Sequence, residues 1–148
     1  MAVKAFLKNF KKGQIVAFDS MVFIYLLEGH KIYFPFVKPL FKLMEKGKIK
    51  AFSSIISYIE TLSSPLLDKK RIESYSKFFL KTKNLFLKKV DFKIAEYTAY
   101  LRRVYKLRTP DAIQMATAIS KKADLFISND DCFKKVKEVK TLVLKDFV

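Results

Sequence analysis

Short apolar runs alternate with longer amphipathic segments along this chain, and the runs predict strands. Ile15–Phe18 is apolar at every position, as expected of a strand that a parallel sheet buries on both faces. Further strands are predicted over 48–52, 85–90 and 123–128, and 140–144 is a candidate fifth. Because helical segments separate these runs, the pattern predicts an α/β fold with a parallel sheet of four to five strands and right-handed crossovers.

Capping residues predict where several of the intervening helices begin. Asp19 precedes a helix that starts near residue 21, and Asp91 precedes one that ends near residue 105. Thr109 is a capping residue followed by Pro110 at the first helical position, which predicts a helix to about residue 121. The remaining helices are predicted over 36–46, from a cap at 53–54 to about residue 62, over 69–83 and over 132–136.

Length and composition favour one folded domain over residues 1–148, because 51% of the residues are hydrophobic. Cys132 is the single cysteine, so no intramolecular disulfide forms and a reducing compartment is expected. The first 13 residues lack the apolar stretch of a signal peptide. The longest apolar run, 21–27, is far shorter than the ~20 residues that span a bilayer. A soluble cytoplasmic protein with no membrane association is therefore expected.

The chain is strongly basic, with 30 Lys and Arg against 14 Asp and Glu and a formal net charge of +16. This balance indicates a polyanionic or acidic partner: nucleic acid, an anionic membrane or an acidic protein. One basic stretch, 69–83, is interleaved with aromatic residues, for which the hydrophobic core is the favoured location. Its cations either bind a nucleic-acid backbone or form a solvated helix face. The two basic stretches contain Lys69, Lys70, Arg71, Lys77, Lys81 and Lys83, then Arg102, Arg103, Lys106 and Arg108.

Four of the scarce acidic residues occupy informative positions: Asp19, Glu60, Asp111 and Asp130. Asp19 and Asp130 follow predicted strands, and ligands of parallel α/β sheets bind beyond the carboxyl ends of the strands. Each acid also has a simpler explanation. Asp19 and Asp130 can cap helices, although Asp131 serves the second role equally well, and Asp111 suits the dipole of a helix start. Glu60 can lie at the boundary of an amphipathic helix, so both readings stay open at each position.

If the four carboxylates converge, they require a cation, because clustered carboxylates repel and raise one another's pKa. Zinc does not fit, since His30 and Cys132 are the only residues of their types and form no ligand cluster. An all-carboxylate site selects Mg²⁺ or Mn²⁺ over softer metals.

The segments that carry these acids resemble PIN domains, and in particular VapC-like toxin ribonucleases. The resemblance rests on Phe18-Asp19-Ser20, on residues 57–60 ending at Glu60, on residues 107–118 around Asp111, and on residues 123–130 with Phe133 following. These pieces recur in the family's order and cover the chain from Ile15 to about residue 143. The segments 109–118 and 128–130 are the most specific part.

The resemblance implies a three-layer sandwich with helices on both faces of the sheet. It assigns Asp19, Glu60, Asp111 and Asp130 as catalytic acids that bind Mg²⁺ or Mn²⁺. It also implies supporting or phosphate-positioning roles for Ser20, Ser128 and Asn129. Arg108 is a candidate for contact with the substrate because its basic stretch adjoins Asp111 in the sequence. The implied activity is metal-dependent endoribonuclease cleavage of RNA by the toxin of a toxin–antitoxin pair, with a cognate antitoxin and a homodimer as partners.

Two alternatives share this fold: a housekeeping RNA-processing nuclease without an antitoxin, and a noncatalytic module that binds RNA or a partner. Other site classes fit less well. A haloacid-dehalogenase-like phosphatase needs a second Asp two residues after Asp19, where this chain has Met21. A P-loop or dinucleotide site needs clustered glycines, whereas Gly13, Gly29 and Gly47 are isolated.

Overall fold

A single five-stranded sheet organises the molecule. The computed structural model describes residues 2–148, so the first residue of the predicted 1–148 domain lies outside the described range. The strands are all parallel and lie in the order β3-β2-β1-β4-β5, which confirms the predicted parallel sheet. Their bounds are β1 Ile15–Phe18, β2 Lys50–Ser54, β3 Leu85–Lys88, β4 Leu125–Ser128 and β5 Lys140–Val143.

Helices cover both faces of the sheet and complete the predicted α/β sandwich. Within residues 2–148 the α-helices are α1 Ala2–Leu7, α2 Ser20–Glu28, α3 Phe34–Glu45, α4 Ile56–Leu62, α5 Lys69–Lys81, α6 Phe92–Tyr105 and α7 Thr109–Ser120. Two 3₁₀ helices follow β4 and β5, at Asp131–Lys135 and Leu144–Phe147. None of the helices in this part of the chain combines the length and apolar character needed to cross a bilayer.

Alternation along β1 divides the core between the two faces. Val16 and Phe18 point to one core, which α1, α2, α3 and α5 cover, and Ala17 points to the other, which α6 and α7 cover. On α5, Tyr75 and Phe79 are buried, as the sequence predicted for aromatic residues of the basic stretch. The central strands are thus buried on both faces. Polar residues follow the carboxyl ends of these strands, and a site can form at that edge of the sheet.

The starts of α4 and α7 differ from the predicted caps. Residues 53 and 54 belong to β2, because pairing with Leu87 and Lys88 of β3 extends the strand beyond residue 52. The Ser54 hydroxyl still accepts from the Ile56 backbone N–H, at 3.2 Å. Thr109 is the first residue of α7 and Arg108 precedes it without a side-chain cap, although Pro110 lies in the first turn as predicted.

After β4, the chain resolves the choice between two capping acids. Asp130 is the cap, and its Oδ1 accepts from the Cys132 backbone N–H at 2.9 Å. The helix that follows is a 3₁₀ helix beginning at Asp131.

Helix α1 is a further difference, because the sequence did not predict a helix over these residues. Its Phe6 is fully buried and packs edge-on against Phe36, at 5.8 Å between ring centroids, a contact that sequence periodicity cannot show.

Candidate metal centre

The four predicted acids line one cavity at the carboxyl edge of the sheet. β1 and β4 are adjacent and parallel, so Asp19 and Asp130 emerge beside each other. Asp111 comes from the first turn of α7, and Glu60 comes from α4. The cavity measures about 490 Å³, and its other walls are Ser20, Met21, Ile24, Tyr25, Arg108, Asn129 and Lys145.

Asp19 is the most enclosed of these carboxylates, at 7% exposure. Its Oδ1 accepts from the Ser20 backbone N–H at 2.8 Å, which caps α2, and its Oδ2 accepts from the Ser128 hydroxyl at 2.7 Å. Burial raises the pKa of Asp19 to about 6. The nearby charges of Asp111 and Glu60 also raise this pKa, whereas the two hydrogen bonds lower it. The capping role and the site role therefore coexist at this residue.

This pKa predicts that cation binding weakens in mild acid. Asp19 must be a carboxylate to hold a cation, and a pKa of about 6 leaves it largely protonated at pH 5. We expect the Mn²⁺ affinity to rise about tenfold from pH 5 to pH 7 and then to level off. Calorimetric titrations at pH 5, 6 and 7 measure this directly. Equal affinities at the three pH values would contradict the assignment of Asp19 as a ligand.

Ser128 and Asn129 support the edge of the cavity in different ways. The Ser128 hydroxyl donates to Asp19 and accepts from the Asp130 backbone N–H, at 3.1 Å, so it links two of the carboxylate-bearing segments. Asn129 donates to the Tyr25 hydroxyl at 2.9 Å and accepts from the Lys145 backbone N–H at 2.8 Å. Ser128 therefore orients a carboxylate, whereas Asn129 ties the wall of the cavity together.

Arg108 provides a cation at the rim. Its Nε lies 3.2 Å from Asp111 Oδ2, and its side chain is 79% exposed while that of Asp111 is 14% exposed. Exposed ion pairs contribute little to stability, so breaking this pair costs little. Arg108 can thus release Asp111 and contact an incoming anion instead.

Cys132 joins the site without having been predicted there. One ligand atom from each of Asp111, Asp130 and Cys132 lies within 4.8 Å of the other two. Burial, with a hydrogen bond to Asp130, raises the pKa of the Cys132 thiol to about 12. The thiol is therefore protonated at neutral pH in the metal-free protein. Apart from this sulfur, the donors of the site are carboxylate oxygens, and that set fits a hard divalent cation such as Mg²⁺ or Mn²⁺.

Sequence reasoning also missed the buried polar layer beneath Glu60. Ser20 donates its hydroxyl proton to Glu60, and Gln114 of α7 in turn donates to Ser20 at 3.0 Å. Gln114 is only 2% exposed and lies three residues after Asp111. A lone amide among the apolar residues that follow Asp111 was the available signal.

The family follows from comparison with known proteins. Residues 16–139 match the PIN domain, so the chain belongs to the PIN domain family. The match runs from the second residue of β1 to the residue before β5, and it includes all four acids. No curated protein sequence matches this chain.

Solved toxin–antitoxin structures share the fold. One is a toxin–antitoxin complex from Klebsiella pneumoniae, with 23% identity, a TM-score of 0.65, and coverage of 87% of this chain and 97% of that one. VapBC2 from Rickettsia felis, bound to a promoter DNA fragment, has 18% identity, a TM-score of 0.69 and coverage of 87% and 98%. DNA-bound VapBC from Salmonella typhimurium has 14% identity, a TM-score of 0.69 and coverage of 88% and 98%.

Proposed function

We propose that this PIN domain is a metal-dependent endoribonuclease that acts as the toxin of a toxin–antitoxin pair. The observation that carries the proposal is the placement of four carboxylates, from four separate elements, around one cavity. Family membership supports the nuclease activity, and the likeness to VapBC complexes supports the toxin role and an antitoxin partner. A homodimer and a cytoplasmic location stay predictions.

We assign Asp19, Asp111 and Asp130, together with Glu60, as the residues that hold Mg²⁺ or Mn²⁺. A divalent ion supplies Lewis-acid activation of water and neutralises charge on a phosphodiester. The protein's own contribution is to hold its carboxylates in place before the ion binds. Ser128 fixes Asp19 and the Asp130 backbone, and Ser20 fixes Glu60. Such prior orientation is what makes electrostatic stabilisation effective.

Arg108 is the residue that we assign to the substrate phosphate. Its guanidinium is exposed at the rim of the cavity beside Asp111. A planar guanidinium donates two parallel hydrogen bonds to phosphate oxygens, which suits the position next to a scissile phosphodiester. Met21 and Ile24 form an apolar part of the same wall. These side chains limit the access of bulk water to the reacting phosphate.

The basic exterior supplies affinity for the RNA backbone. Among residues 2–148, ion pairs engage only three cations, Arg108, Lys134 and Lys145, so most of the positive charge is free to meet phosphates. The cations of α5 are exposed, while Tyr75 and Phe79 are buried and Phe78 is half-buried. RNA binding through such a surface releases counterions from the RNA phosphates. The free-energy gain from this release falls as the salt concentration rises, so binding weakens steeply.

Incubation of the purified protein with single-stranded RNA tests the proposed activity. We expect cleavage with Mn²⁺ or Mg²⁺ and none with EDTA, and cleavage should return when metal is restored. A matched control is Glu96→Gln, which removes an exposed carboxylate on α6 and should cleave like the wild type. If RNA is bound at low salt and never cut with either metal, the protein is a noncatalytic binding module and the proposal is wrong.

A further inference from the structure

A layer of buried polar side chains lies directly beneath the cavity. Ser53 at the end of β2, Ser57 in α4 and Gln114 in α7 are at most 2% exposed. Buried polar groups are almost always hydrogen-bonded, because an unpaired one costs roughly 1–3 kcal/mol. The partners of this layer therefore show what it is arranged to hold.

Gln114 is the hub of the layer. Its Nε2 donates to the Ser57 hydroxyl at 2.8 Å and to the Ser20 hydroxyl at 3.0 Å. Ser57 and Ser53 share a hydrogen bond of 2.6 Å between their hydroxyl oxygens. Ser53 also lies 2.5 Å from the Phe18 carbonyl, to which it donates. Gln114 thus joins the helix that carries Asp111 to the segments that carry Asp19 and Glu60.

The proton count and the shortest contacts together give this network one direction. Each hydroxyl has a single proton, and an amide NH₂ has two. Ser53 donates its proton to the Phe18 carbonyl at 2.5 Å in preference to Gln114 Oε1 at 3.4 Å, so Ser57 donates to Ser53. Gln114 then supplies both of its protons, one to Ser57 and one to Ser20. The Ser20 proton goes to the Glu60 carboxylate, which can only accept and lies closer than the Ser57 hydroxyl at 3.2 Å.

The opposite orientation of the Gln114 amide would remove this donor. Its carbonyl oxygen would then face Ser20 and Ser57 and would accept the Ser20 proton. Glu60 would then lose its hydrogen-bond partner. Because Glu60 is exposed near the end of the seven-residue helix α4, its side chain would be free to move. A free Glu side chain samples several rotamers, and ordering it on cation binding costs conformational entropy.

We propose that Gln114 is a positioning residue for the metal centre. By donating to Ser20, it keeps the Ser20 hydroxyl directed at Glu60 and so holds that carboxylate at the cavity. The inference rests on the proposed function, since it assumes that Glu60 helps to hold the cation. Loss of an outer-shell partner of this kind typically weakens metal affinity about 10–100-fold.

Gln114→Met tests the inference with little change in side-chain shape. The matched control is Thr117→Val, which removes a different buried polar group from α7. The Thr117 hydroxyl bonds only the Ile113 carbonyl. In calorimetric Mn²⁺ titrations we expect Gln114→Met to bind at least about tenfold more weakly than Thr117→Val. Saturating Mn²⁺ should restore the cleavage rate of Gln114→Met, because the residue does not itself contact substrate.

A double-mutant cycle identifies the route through Ser20. Ser20→Ala should weaken Mn²⁺ binding as much as Gln114→Met does, and the double variant should be no weaker than either single variant. Thermal unfolding of the metal-free proteins verifies that each variant is folded. If Gln114→Met does not fold, Gln114→Leu replaces it in the same cycle.

The possible outcomes distinguish failure of the Gln114 inference from failure of the proposed function. Equal Mn²⁺ affinities for Gln114→Met and Thr117→Val overturn the inference and leave the proposed function standing. Losses that add in the double variant also overturn it, because Gln114 would then act by another route. A wild-type protein that binds no Mn²⁺ overturns the proposed function, and the inference falls with it.

Discussion

Asp19→Asn should abolish divalent-dependent RNA cleavage, with a loss of about 10³-fold in rate, the order expected when one preorganised electrostatic group is removed. Asn keeps the shape of Asp and can still accept from the Ser20 N–H, so the cap of α2 survives. The loss would therefore come from the missing charge and not from misfolding. Cleavage assays at saturating Mn²⁺, with Glu96→Gln as the control, measure it. Full activity of Asp19→Asn would contradict the assignment of this residue.

The same substitution should stabilise the metal-free protein at neutral pH. The folded-state pKa of Asp19, about 6, lies above the ordinary value of 3.8. Folding therefore favours the protonated form. The stability due to that proton is fully present below pH 3.8 and is lost as the pH rises through about 6. At pH 7 the two hydrogen bonds offset the burial of the charge only in part, and Asn removes the charge.

We expect Asp19→Asn to raise the free energy of unfolding by about 1–3 kcal/mol at pH 7 in EDTA. The gain should disappear at pH 3, where the wild-type carboxyl is protonated in both states. Denaturant unfolding at the two pH values measures the difference. A variant that is less stable than the wild type at pH 7 would show that the hydrogen bonds of the Asp19 carboxylate outweigh its burial.

Asp111→Asn should convert a growth-arresting protein into a harmless one. Expression of the wild type should stop cell growth if RNA cleavage is its activity, and Asp111 stands with Asp130 in the group of ligand atoms within 4.8 Å. Losing one carboxylate there removes a proposed cation ligand and also frees Arg108 from its ion pair. We expect colony counts to recover by at least about 10³-fold, following the loss of catalysis.

The controls separate toxicity from catalysis. Glu96→Gln, an exposed acid outside the cavity, should remain as toxic as the wild type. Coexpression of a cognate antitoxin should restore growth without any change in the toxin. An Asp111→Asn variant that still arrests growth would mean that binding, and not cleavage, is toxic. Cells that grow normally with an active wild-type enzyme would favour a housekeeping nuclease.

The sheet was predictable from the sequence because its central strands are buried on both faces. Ile15–Phe18 has the predicted bounds, since four apolar residues end at a polar Asp19. The end of β2 was not predictable. Ser53 and Ser54 are polar, and the buried strand position of Ser53 depends on a distant partner, the Phe18 carbonyl, which satisfies its hydroxyl. Helix α1 was missed for a related reason, since Phe6 anchors the helix by packing against core residues that are distant in the sequence.

The acids of the candidate site were easier to find than the groups that orient them. Asp19, Asp111 and Asp130 lie next to strand ends and helix starts, which are visible in the sequence. Gln114 reaches Ser20 across 94 residues, so only the folded chain shows the contact. Cys132 belongs to no ligand cluster in the sequence, and its place beside Asp111 also depends on the tertiary fold. Local patterns thus locate the carboxylates, and topology supplies their support.

A crystal structure of the wild type soaked in Mn²⁺ tests the central claim most directly. Anomalous scattering identifies Mn²⁺ independently of the protein density. We expect an anomalous peak within coordination distance of Asp19, Asp111 and Asp130, with Glu60 directed at it by Ser20. A cavity without any anomalous peak at millimolar Mn²⁺, or a peak bound only at other surface acids, would contradict it.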